Sequence, residues 1–119
     1  MTKLLVCSRS EAECKSLSLI LKDFFEVFVS GDYADCLEKI RQQAIRVLIV
    51  DIGKPDFETG LSFIKQVSSK NRKISLIALI NDSKERTIDR LKKTDIDVWI
   101  LKPYSADKVI GVLKKSIIP

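Results

Sequence analysis

Five short apolar runs punctuate the chain: Leu4–Cys7, Val27–Val29, Val47–Val50, Leu76–Ile80 and Val98–Leu101. Each is continuous and rich in Val, Ile and Leu instead of alternating apolar with polar. That is the pattern of strands covered on both faces, as in a parallel sheet. Roughly twenty residues separate successive runs, the space a crossover helix needs. Those segments carry helical periodicity. Cys14, Leu17, Leu21 and Phe24 line one face of the first, with Ser10 capping ahead of Glu11. Ala34, Leu37, Ile40 and Ala44 do so in the second, behind an Asp32 cap. Leu61, Ile64 and Val67 mark a third, entered through Gly60, and Ile110, Leu113 and Ile117 a fifth that opens after Ser105. The fourth, around Lys84–Lys93, offers only Ile88 and Leu91 as anchors and is expected to be the least firmly held. The pattern predicts an α/β fold: five parallel strands with helices on both faces, one domain over residues 1–119.

Composition narrows the function more than the fold. The chain has 119 residues, 45% hydrophobic and 31% charged, enough for a single core. No apolar run approaches the ~20 residues that span a bilayer. Met1-Thr2-Lys3 leads directly into the first strand, so no secretory signal is expected. Cys7, Cys14 and Cys36 are odd in number and form no Cys-x-x-Cys pair, so reduced thiols and a cytoplasmic location are expected. There is no histidine, which removes the usual general base and the commonest metal ligand. The net charge of +5 is spread through Arg72/Lys73, Arg86/Arg90, Lys92/Lys93 and Lys114/Lys115, without aromatics to stack bases. Solvated helix faces explain it better than a nucleic-acid surface.

In open parallel sheets, ligands bind beyond the carboxyl ends of the strands. The segments there are Cys7-Ser8-Arg9-Ser10, Asp51-Ile52-Gly53-Lys54-Pro55, Ile80-Asn81-Asp82 and Leu101-Lys102-Pro103-Tyr104. Across essentially the whole chain these resemble the receiver domain of two-component response regulators. Val47–Asp51 looks like the strand ending in the phosphoacceptor aspartate, with Pro55 four residues later. Gly60-Leu61 is similar to the opening of the family's third helix, with one extra residue after Asp51. Lys102-Pro103-Tyr104 resembles the Lys-Pro-aromatic ending of the fifth strand. The resemblance implies a flavodoxin-like sheet of order 2-1-3-4-5, a cytoplasmic bacterial phosphorelay, Asp51 as phosphoacceptor and a cis bond before Pro103.

The departures bear on chemistry. Receivers carry an acidic pair after the first strand to hold magnesium; the matching positions here are Ser8 and Arg9. The hydroxyl residue ending the fourth strand is replaced by Ile80 or, with a one-residue shift, Asn81. Trp99 stands at the aromatic switch position, as a core filler or as part of a partner surface. An ordinary receiver site sums to −2; Asp51, Arg9 and Lys102 sum to +1. One unit charge ~4 Å from another is worth about 4 kcal/mol at an effective dielectric of 20, so weak or absent magnesium binding is expected. Arg9 is expected either to pair with Asp51 where the metal would sit or to remain a surface loop residue. Glu11, a possible replacement ligand, belongs inside the first turn of the first helix. Lys102 is expected in a salt bridge with Asp51. Cys7 would need an arginine six residues on to make a phosphatase loop; Glu13 stands there. The first loop also lacks the glycine and hydroxyl run of a flavin site.

The expected function is therefore that of an atypical receiver, not an enzyme, acting by protein contacts with no cofactor. Its partners would be a histidine kinase, an output domain or another receiver, engaged through the fourth helix, fifth strand and fifth helix, a face that also suits a homodimer. Arg86, Arg90, Asp95, Asp97 and Lys108 are its candidate rim charges, beside Trp99 and Tyr104. The alternatives are a working phosphoacceptor at Asp51 and a basic nucleic-acid-binding module.

Overall fold

The computed structural model describes residues 1–70 and 73–117; Arg72 of the first basic pair lies outside them. The apolar runs form strands β1 (Lys3–Cys7), β2 (Glu26–Ser30), β3 (Val47–Asp51), β4 (Ser75–Ile80) and β5 (Val98–Leu101). All pair in parallel, in the order β2-β1-β3-β4-β5. Between them run helices α1 (Glu11–Leu21), α2 (Tyr33–Gln43), α3 (Phe57–Lys70) and α4 (Glu85–Lys92), and α5 (Ala106–Ser116) follows β5. The expected doubly covered parallel sheet is what forms.

Strand residues alternate between two cores because successive Cβ atoms point to opposite faces. Leu5, Cys7, Leu48, Val50, Leu76, Ala78 and Ile80 pack under α2, α3 and α4. Leu4, Val6, Ile49, Ile77, Leu79 and Ile100 pack under α1 and α5. Ser10, Asp32 and Ser105 cap α1, α2 and α5, each side chain accepting the backbone N–H three residues on. Among the described residues, no helix is long and apolar enough to cross a membrane.

The helical faces differ in detail from the periodicity reading. α1 stops at Leu21, so Phe24 lies in the turn beyond it and Phe25 supplies the buried ring. In α2 the buried positions are Cys36 and Ile40, while Ala44 ends the helix at φ 53°. In α5, Val109 and Leu113 are the buried pair and Ile110 is half-buried. α3 begins at Phe57, three residues before Gly60. A Cβ on Gly60 would lie 2.2 Å from Ile52 Cγ2, so only glycine lets this helix approach the loop after β3.

α4 is held mainly by Leu91, with Ile88 half-buried. A polar clamp adds to them. The Arg90 guanidinium donates to both carboxylate oxygens of Glu58 on α3, at 2.8 and 2.6 Å, and lies 5.6 Å from the Phe57 ring centre.

Candidate functional site

The carboxyl ends of β1, β3 and β5 meet at Asp51, the last residue of β3. Its Oδ2 accepts a hydrogen bond from Lys102 Nζ at 2.5 Å, and its Oδ1 accepts the Gly53 N–H at 2.9 Å. Burial raises the carboxyl pKa, but the Lys102 and Gly53 donors outweigh it. Asp51 is held below the usual carboxylate range.

The sequence reading did not place Glu13 here. Its side chain is only 13% exposed and sits between three donors. Oε1 accepts from Ser8 Oγ at 2.8 Å, Oε2 accepts from the Tyr104 hydroxyl at 2.8 Å, and Lys102 Nζ lies 3.5 Å from Oε2. The backbone explains the placement. Only three residues separate β1 from α1, and helical side chains lean toward the N-terminus, so Glu13 leans back over the strand ends. Glu11, weighed above as a replacement acid, is exposed instead. One signal was present in the sequence: Ser10-Glu11-Ala12-Glu13 has the spacing of a capping box, which would turn Glu13 toward the Ser10 N–H. That N–H is satisfied by Ser8 Oγ at 3.1 Å, which leaves Glu13 free to reach across the pocket.

Arg9 does not pair with Asp51. Its side chain is 76% exposed and pairs with Asp56 at 3.4 Å. The physical reason is occupancy: Lys102 already holds Asp51, and solvent is a better medium for a second cation than a filled pocket. With Arg9 neutralised at the rim and Glu13 inside, the inner cluster of Asp51, Glu13 and Lys102 sums to −1. The sum of +1 expected from the sequence is thereby corrected. The Tyr104 hydroxyl is pushed up, first by burial and then by the Glu13 carboxylate that it bonds.

Other candidates fall around this cluster. Ser8 is buried, its N–H bonded to Ser30 O. Ile80 turns into the core beneath α2–α4, and its carbonyl accepts the Lys102 N–H at 2.8 Å. The Asn81 carboxamide covers Gly53: a Cβ there would lie 1.8 Å from Asn81 Oδ1. Pro103 is exposed, and the Lys102–Pro103 bond is cis, as is Lys54–Pro55. Trp99 is half-buried against the α2–α4 core. Arg86 and Lys108 are exposed, and Arg90 is engaged by Glu58. Asp97 lies at the opposite end of the sheet, accepting the Leu76 N–H at 2.7 Å, with Asp95 beside it.

Among the described residues, no three His, Cys, Asp or Glu side chains group to hold a metal ion. Chemically, the cluster presents an ionised carboxylate with an ammonium beside it, and its second acid is already hydrogen-bonded.

Similar folds are known. The chain is 23% identical to the chemotaxis protein CheY4 of Vibrio cholerae, with a TM-score of 0.88 over 98% of this chain and 99% of that one. A response regulator from Thermotoga maritima is 22% identical, with a TM-score of 0.89 over 99% and 98%. NtrX from Brucella abortus is 20% identical, with a TM-score of 0.82; the match covers 97% of this chain and 26% of that one. The family model described as the response regulator receiver domain matches residues 5–114, almost the entire sheet and its helices. This chain belongs to the response regulator receiver domains.

Proposed function

We propose that this receiver domain signals through protein contacts, with little or no magnesium-dependent phosphorylation of Asp51. The observation that carries the reading is the saturation of both acids. Asp51 spends one oxygen on Lys102 and the other on the Gly53 N–H; Glu13 spends both on Ser8 and Tyr104, with Lys102 close by. Magnesium takes near-octahedral oxygen ligands, usually with one or two carboxylates, and dehydrates reluctantly. Ser8 and Arg9 offer no carboxylate, and recruiting Glu13 would strip hydrogen bonds from two hydroxyls. The donor set does not suit this ion. A partner kinase, output domain or second receiver would then be met by the α4–β5–α5 face, where Leu101 is 43% exposed and few apolar groups anchor α4.

A second reading, that Asp51 is a working phosphoacceptor, is favoured by its ionised state beside Lys102. Incubation with a small acyl-phosphate donor, with and without magnesium, distinguishes the two by intact mass. The proposal expects no phosphoryl adduct in either case. A magnesium-dependent adduct mapped to Asp51 would establish the second reading and remove the first.

A further inference from the structure

β2 and β5 form the two edges of the sheet, so β2 lies farthest from the α4–β5–α5 face. Its inner side is spent on β1. The Glu26 N–H bonds Thr2 O and Ser30 O accepts the Ser8 N–H, each at 3.0 Å, with Phe28 continuing the ladder between them. In a parallel ladder, alternate residues turn their backbone groups to the same side. Val27 and Val29 therefore direct N–H and C=O outward, where among the described residues no strand pairs with them. Edge strands are ordinarily guarded by lysine, proline or a bulge. β2 has none of these; it reads Glu26-Val27-Phe28-Val29-Ser30, in unbroken register, with one charge at its first residue.

On the face that α1 covers, this edge is apolar. Val29 is 40% exposed and Leu19 67%, and the two line one groove between α1 and β2. Beside Leu19, an exposed stripe of α1 runs Glu11, Lys15, Ser18, Lys22, each a helical turn from the last. The stripe is acidic at one end and basic at the other. Among the described residues, neither Glu11 nor Lys22 is in an ion pair.

We propose that the chain forms a two-fold dimer through β2, the β2 of a second copy adding antiparallel and joining the two sheets. The axis passes beside Phe28. Val27 then stands opposite Val29 of the second copy, and Val29 opposite its Val27. Each of these pairs exchanges two N–H···O=C bonds. All the outward groups of Val27 and Val29 are thereby bonded, and no other register pairs them all within β2. Opposed side chains share a face, so the valines of both copies meet beside Leu19 and close the groove.

Charge fits the same axis. Antiparallel placement sets the Glu11 end of each α1 beside the Lys22 end of the other, twice over by symmetry. α1 packs on both β1 and β2. With strands ~4.8 Å apart, the two α1 helices then run about 10 Å from each other, a packing distance for helices. The dimer leaves α4 and β5 uncovered, so it is compatible with either reading of Asp51 and with a partner on the α4–β5–α5 face.

Sedimentation equilibrium of the whole chain, from micromolar to millimolar concentration, tests the proposal. A reversible monomer–dimer equilibrium is expected for the wild type. Val29→Lys places a charge on the open edge and should weaken association by about tenfold or more. Glu11→Lys and Lys22→Glu should each weaken it several-fold, and Glu11→Lys/Lys22→Glu together should restore it. Leu101→Glu, on the opposite edge of the sheet, should leave it unchanged. If Val29→Lys fails to fold, the charge variants, at exposed helix positions, decide alone. A monomer throughout the range, a dimer broken by Leu101→Glu, or charge variants without mutual rescue would overturn the proposal.

Discussion

The Tyr104 hydroxyl donates a 2.8 Å hydrogen bond to Glu13 Oε2 across ninety-one positions of sequence. This bond joins the start of α1 to the loop between β5 and α5, with Lys102 held between Glu13 and Asp51. It makes the Asp51 pocket part of the contact between helices on one face of the sheet.

Removing the carboxylate should expose that dependence. Glu13→Ala leaves the Ser8 and Tyr104 hydroxyls without their acceptor, and a stability loss of about 1–3 kcal/mol is expected. Tyr104→Phe, which removes a single donor, should cost about 1 kcal/mol. Urea unfolding of the two variants measures both; equal, negligible losses would mean that water replaces the network without cost.

The Asp51 pKa sets an acid limit. Its folded value lies below the unfolded value near ~3.9. The associated stability is thus fully present above the unfolded value and is lost as pH falls through the folded one. Wild type should lose stability below about pH 4 more steeply than Asp51→Asn. Acid unfolding followed by Trp99 fluorescence gives the two slopes, and matching slopes would count against the Lys102 pairing.

Magnesium should leave the Trp99 signal unchanged in wild type. Ser8→Asp/Arg9→Asp restores two carboxylates and removes the hydroxyl that holds Glu13. That double variant should respond to the ion. A response from wild type would show that Glu13 is released readily, whereas silence from both proteins would leave the donor-set argument without support.

The clamp on α4 is an exposed ion pair and should contribute little to global stability. Its effect should instead be local. Arg90→Ala should speed amide exchange within Glu85–Lys92 while the exchange of β3 and β4 stays as it was. Uniform acceleration through the chain would place the loss in the core.

Gly60→Ala tests the packing of α3 on the β3 loop. The added methyl meets Ile52 Cγ2 and Cβ at 2.2 and 2.7 Å, neither of which is the end of a flexible chain. A loss of about 1–3 kcal/mol is expected, although alanine favours helices elsewhere. Gly111→Ala, where nothing lies within 4 Å, is the control and should stabilise.

Strand positions, layer order and helix caps were legible in the chain because they depend on local periodicity and on side chains bonding three residues away. The run Val47–Val50 is apolar at every position because both faces of β3 are covered, and that shows without knowing what covers them. Asp51 and Lys102 were legible by resemblance to a family, together with their position just past strand ends. The partners of Glu13 and Arg9 were not. Both are charged residues close to Ser10, and no local rule says which of them turns inward. Tertiary structure decided it: Lys102 already occupied Asp51, Tyr104 and Ser8 offered hydroxyls, and Asp56 stood at the rim for Arg9. A buried charge is tolerated only where donors brought from distant segments surround it, so its place depends on the whole fold.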